Sequence, residues 1–318
     1  MQLFLATSSG LLTAVSENSG WRIQNRTLPG RHVSSVIARE GVILAGTGDG
    51  IFRSADGGQS WAEASRGLAV RRVRWLAFHP GVSDCEFAGT EPAALFVSND
   101  GGGQWQARPE VNSLRDELGW WLPYSPEAGC VRGFAFHGPR AYAAVEVGGV
   151  LRSNDTGATW TLANGRSQPI HPDVHSIAVH PSSPDAVFAP TGGGYFASQD
   201  GGESWQALYA HCYVRAVWVH PQDPARQVLG PSEGPSGANG RIEITHDGGQ
   251  TWQRTAVGWP RNMVERFKPV GNSLFAVLAN GELLQAPLPA PTADLAALDW
   301  TAILPDAGHI HDVTAMAA

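Results

Sequence analysis

Lysine is almost missing from this chain. Of its 22 basic residues only Lys268 is a lysine, which excludes a phosphate-cradling loop lysine and leaves little room for Schiff-base chemistry. Cysteine is scarce too. Cys85, Cys130 and Cys212 are odd in number and lack CxxC spacing, so they suit neither a disulfide framework nor a zinc knuckle and predict free thiols in a reducing compartment. No apolar run approaches the length that crosses a bilayer as a helix. Charged side chains make up only 16 %, too few for a disordered chain, and 22 basic against 29 acidic residues give −7, the wrong sign for gripping a phosphate backbone. The opening Met1-Gln-Leu-Phe-Leu-Ala-Thr7 has no basic flank and turns polar early. The expectation is a cytoplasmic protein with neither a nucleic-acid nor a membrane partner, and nothing in the residues calls for a cofactor.

Glycine (38), proline (22) and tryptophan (12) are plentiful instead, and a repeat accounts for them. Five segments share one pattern: Ser54-Ala-Asp-Gly-Gly-Gln-Ser-Trp61 and its counterparts ending at Trp105, Trp160, Trp205 and Trp252. Degenerate copies end at Trp21 and Trp300, and the intervals between markers are 40, 44, 55, 45, 47 and 48 residues. In each good copy an aspartate (Asp56, Asp100, Asp155, Asp200, Asp247) can accept backbone N–H groups ahead of it while glycines supply positive φ. The tryptophan then opens the next strand and buries a large ring. These five aspartates are expected to be structural.

The pattern resembles the Asp-box, or BNR, repeat of sialidases, sortilin-type receptors and photosystem II assembly factors. Repeats of about 45 residues with four strands each are β-propeller blades, so seven markers imply an all-β, seven-bladed propeller of four-stranded antiparallel blades. One domain is expected over 1–318, with loop elaborations at about 107–130 and 230–240. Sialidase domains of this family normally have six blades and an Arg-Ile-Pro signature, which this sequence lacks. The resemblance covers nearly the whole chain and speaks for fold far more than for activity.

An innermost strand should follow each tryptophan. Val73-Arg-Trp-Leu-Ala-Phe-His79, Val131 to His137, Val174 to His180 and Val214 to His220 align without gaps, and strands from Val33, Val264 and Ile310 fit the same frame. The last lies beyond the final marker while the N-terminus starts one strand late, so the C-terminal strand should complete the first blade. Strict alternation then sorts the positions. One column is apolar: Val36, Leu76, Phe134, Ile177, Val217, Phe267 and Val313. Two residues earlier it is polar: Ser34, Arg74, Arg132, His175, Arg215, Glu265 and His311. Two earlier again stand His32, Arg72, Cys130, Asp173, Tyr213, Met263 and His309. The expectation is a polar funnel above an apolar plug, facing turns that carry Asp49, Glu91, Glu146, Thr191 and Glu233.

Three functions fit that funnel. Arg74, Arg132, His175 and Arg215, with Tyr213, Asp173, Glu265 and His311 around them, could bind a small anionic or carbohydrate-like ligand, and Glu91 and Glu146 could hydrolyse it as a glycosidase does. Alternatively, the resemblance to assembly factors implies a scaffold that grips a protein partner. A metal-dependent enzyme using His175, His309 and His311 is the third reading, although those strands belong to nearly opposite blades. The adjacent Trp120 and Trp121 lie in the longest interval and either cover a blade edge or form a stacking platform. Strand-end His79, His180 and His220 are given no chemistry.

Overall fold

The structure, a computed structural model, describes residues 1–17, 20–121, 128–255 and 262–316. Its strands pair into seven four-stranded antiparallel sheets arranged as the blades of a β-propeller. Blades 2, 3, 4, 6 and 7 begin with inner strands Val33–Arg39, Val73–Phe78, Cys130–His137, Tyr213–His220 and Val264–Val270. Blade 5 has a short one, Ala178–Val179, preceded by an isolated bridge from Val174 to Thr191. Blade 1 takes Gln2–Thr7, Gly10–Glu17 and Gly20–Thr27 from the N-terminus and its innermost strand, Ile310–Met316, from the C-terminus. The C-terminal strand therefore closes the ring, as the sequence register expects.

The boxes do the work their residues predict. In the Ser54–Trp61 turn, Asp56 accepts the backbone N–H of Gln59 (3.0 Å) and Ser60 (2.9 Å), and Ser54 Oγ accepts that of Gly58 (2.8 Å), whose φ of +88° favours glycine. Trp61 and Trp160 donate to glycine carbonyls of their own turns, but two other tryptophans reach further. Trp105 Nε1 donates to Ala64 O of the preceding blade at 2.9 Å, and Trp205 Nε1 to Ala163 O at 2.8 Å. Each ring thus ties two blades while burying its large surface.

Seven apolar clusters hold the ring, one between each pair of neighbouring blades. The apolar column of the inner strands supplies one residue to each, from Val36 between blades 1 and 2 to Phe267 between blades 6 and 7. Close approach demands glycine opposite some inner strands: a Cβ on Gly46 would lie 2.6 Å from Val73 Cγ1. At the far end of the inner strands the histidines link blade to blade. His79 Nε2 donates to Gly138 O (3.0 Å), His137 Nε2 to Pro181 O (3.0 Å) and His180 Nε2 to His220 O (3.2 Å). Among the described residues, no helix is long and apolar enough to cross a membrane.

Candidate functional site

The inner strands do not alternate strictly. In all seven blades the ladder slips by one residue near its start, between Val33 and Ser35, Val73 and Trp75, Val131 and Gly133, and at matching places elsewhere. The extra residue is Ser34, Arg74, Arg132, Arg215 or Glu265, the polar column itself. A bulge bends the strand and re-aims consecutive side chains, here toward the channel. It also brings the following position to the channel, so Arg266 and Asp312, which the alternating register passes over, become channel residues.

At the end where the inner strands begin, the channel opens into a cavity of about 180 Å³ lined by His32, Ser34, Arg74, Arg132, Arg215, Glu265, Arg266, His309 and His311. Its charges are cross-linked. Arg132 bonds Glu146 (3.2 Å) and, across the channel, Glu265 (3.1 Å). Arg215 also bonds Glu265 and donates to Tyr213 Oη at 3.2 Å. Arg72 and Arg74 share Glu91, at 3.0 and 3.4 Å. Burial would discharge Arg132, yet Glu146 and Glu265 hold its guanidinium well above the usual arginine value. Burial likewise opposes ionisation of Glu265, but Arg132 and Arg215 keep its carboxyl below the ordinary range.

Glu91 and Glu146, the candidate acid and base, are buried (5 % and 2 % exposed) and engaged with arginines. Of the remaining turn carboxylates, Asp49 pairs with Arg31 at 3.2 Å and Glu233 accepts from Asn239. The histidines form two groups rather than one. His311 lies against His32 and His309, with ring centroids 4.4 and 4.7 Å away, and meets Ser8 Oγ at 2.9 Å. Burial, then its histidine neighbours and Arg266, push His311 down to about 3, so it is neutral. His175 instead sits with Asp173 and Glu146, under the ring of Tyr213 at 4.6 Å. The structure therefore does not bring His175, His309 and His311 together as one ligand set. Burial raises all three thiols to about 11, which leaves them inert.

The opposite end carries a cavity of about 330 Å³ where the sequence predicts a plug. Leu76, Phe134, Ile177, Val217 and Phe267 border it along with Trp75. Arg266 stacks on Trp75 at 3.8 Å and bonds Asp312 at 3.1 Å, and Lys268 reaches the same carboxylate at 3.2 Å. Asp312, fully buried, also accepts Ser35 Oγ (3.0 Å) and Val36 N (3.1 Å), so one carboxylate joins blades 1, 2 and 7. The sequence carries only a partial signal: the column after the polar one reads Ser, Trp, Gly, Ser, Ala, Arg266, Asp312, with opposite charges in neighbouring blades but no mark of the bulge that aims them.

The tryptophan doublet divides. A helix, α1 (Pro109–Leu118), is inserted between blades 3 and 4, and Trp120 behind it is 4 % exposed, packed on the Gly148 turn. Trp121 is 60 % exposed and Leu118 55 %. Residues 122–124 of that loop lie outside the described residues.

A BNR/Asp-box repeat profile matches residues 243–254. Over 186 residues, 52 % of this chain, the sequence is 26 % identical to a xyloglucanase of Hypocrea jecorina (strain QM6a), covering 21 % of that enzyme. The fold superposes on an ancestral GH74 enzyme with TM-score 0.67 and 19 % identity, over 85 % of this chain and 38 % of the other. It superposes on YCF48 bound to D1 peptide with TM-score 0.61 and 19 % identity, over 91 % and 89 %. The matched stretch spans about a fifth of the xyloglucanase, and the chain well under half of the GH74 enzyme, but nearly the whole of YCF48. With its boxes, its seven blades and its closing strand, this chain is a seven-bladed β-propeller that carries the BNR/Asp-box repeat.

Proposed function

We propose that this propeller is a binding protein without turnover, which takes an acidic group of a partner polypeptide into its polar channel mouth. The observation that carries the reading is the sharing of carboxylates: Arg72 and Arg74 share Glu91, and Arg132 and Arg215 share Glu265. Among the described residues Arg74 makes one polar contact, at 3.4 Å, leaving donors for an incoming anion. The mouth cavity of about 180 Å³ is lined by Arg74, Arg132, Arg215 and Arg266, a setting that suits an incoming carboxylate. Exposed Leu118 and Trp121 follow the helix that enters blade 4 at this same end and offer apolar contact beside the mouth. The match in length to a peptide-bound relative supports a polypeptide partner.

A second reading, hydrolysis of a β-glucan, is favoured by the stretch of identity to the xyloglucanase. Its acid and base would have to be Glu91 and Glu146, which are tied to arginines. Calorimetric titration of short peptides bearing one central Glu, against their Gln counterparts, tests the first reading. The Glu peptides should bind, and Arg74→Ala should weaken them about tenfold to a hundredfold. Equal binding of the Gln peptides, or reducing ends released from xyloglucan by the purified chain, would overturn it.

A further inference from the structure

We propose that Glu146, Asp173 and His175 form a divalent-cation site of the zinc or manganese class in the wall of the channel between blades 4 and 5. Ligand atoms of the three lie within 4.8 Å of one another. The cluster alone would mean little; the orientation of His175 points to an ion. His175 is 1 % exposed, and its Nδ1 meets the carbonyl oxygen of Val214 at 2.7 Å. A carbonyl only accepts, so Nδ1 carries a proton, and in the neutral tautomer Nε2 is a bare acceptor facing Asp173. That atom has no hydrogen-bond partner among the described residues, nor does Asp173 Oδ1, and the two stand 3.2 Å apart. Two buried acceptors facing each other repel unless a positive charge joins them.

A hydrogen bond from the far nitrogen of an imidazole to a backbone carbonyl is how metal-bound histidines are oriented. One imidazole and two carboxylates make a mixed nitrogen and oxygen donor set, suited to zinc or manganese and short of the six or more oxygens that calcium takes. The turn Thr191–Gly194 makes room for it: a Cβ on Gly192 would collide with the Asp173 carboxylate. Tyr213 covers the imidazole, and its phenol, buried and held by Arg215, also senses both carboxylates. The site needs no partner peptide and stands independently of the binding reading above.

Equilibrium dialysis of the full chain, stripped with chelator, against ZnCl₂ or MnCl₂ should show one ion per chain and a rise in Tm at saturation. Asp173→Asn, at a side chain still 23 % exposed and therefore tolerated by the fold, should weaken binding at least tenfold, as should His175→Gln, while His311→Gln should bind as wild type does. In a ¹⁵N spectrum, adding ZnCl₂ should move the His175 Nε2 resonance while Nδ1 stays protonated on the Val214 carbonyl. Failure to bind either ion, unchanged affinity in both cluster variants, or a His175 Nε2 resonance unmoved by zinc would each overturn the site.

Discussion

Arg132 and Glu265 are 133 residues apart in the chain and face each other across the channel, Nη2 to Oε2, at 3.1 Å. The pair links blade 4 to blade 7, and Glu265 takes Arg215 of blade 6 as well. Blades that share no sheet are thus held by charge through the axis of the ring.

Removing that carboxylate leaves, among the described residues, buried Arg132 with Glu146 alone and Arg215 with only the Tyr213 hydroxyl. Glu265→Gln should cost about 3 kcal/mol of stability, read as a fall in the urea midpoint. Because Arg132 and Arg215 hold the Glu265 carboxyl below its unfolded value, overcoming its burial, this stabilisation is present above about pH 4.3 and lost as pH falls through the lower folded value. The variant should show a flatter stability profile below that pH. An unchanged midpoint would mean the axial pair contributes nothing.

The C-terminal strand carries Asp312 as well as the ring closure. Asp312→Ala leaves Arg266 and Lys268 without their shared partner and should cost about 3–5 kcal/mol. Removing residues 308–318 should lower Tm further, since it exposes the edge of Gln2–Thr7. Wild-type melting of the truncated chain would disprove closure as the source of stability.

His79 and His220 are held below the ordinary 6.5, first by burial and then by nearby cations, and His79 accepts Gly81 N while donating to Gly138 O. The neutral ring is the one that fits. Their contribution is complete above about pH 6.5 and lost as pH falls below it toward the lower folded values. Tm should therefore fall as pH drops below about 6.5, and His79→Gln should reduce that slope; a slope unchanged by the variant would place the titration elsewhere.

The box aspartates should matter for stability alone. In Asp155 burial is outweighed by Thr159, Ser153 and backbone donors, which hold the carboxyl at about 2. Asp155→Ala should cost about 1 kcal/mol, a modest figure because the turn is solvent-exposed. Peptide and metal binding should be intact, since the box lies at the end of the blade away from the polar mouth. A folded Asp155→Ala protein that loses either ligand would refute the structural role.

Much of this architecture could be read in one dimension. Seven tryptophans at blade-length spacing, each after a turn of Asp and Gly, specify local hairpins, and local hairpins of that length stack only as blades. The inner-strand columns named Arg132, Arg215, Glu265 and His175 because period-two patterning survives in a strand whatever surrounds it. Two things were out of its reach. The bulge at the start of every inner strand depends on pairing with the next strand, and it turned Arg266 and Asp312 toward the channel and opened a cavity where alternation implied a plug. Partnership across the axis depends on which blades face each other: Arg132 found Glu265, while His175 found Asp173 and Glu146 rather than His309 and His311. Hydrogen bonds within a repeat are dictated by neighbours in sequence, whereas ion pairs through the channel are set by the closure of the ring, which no single repeat contains.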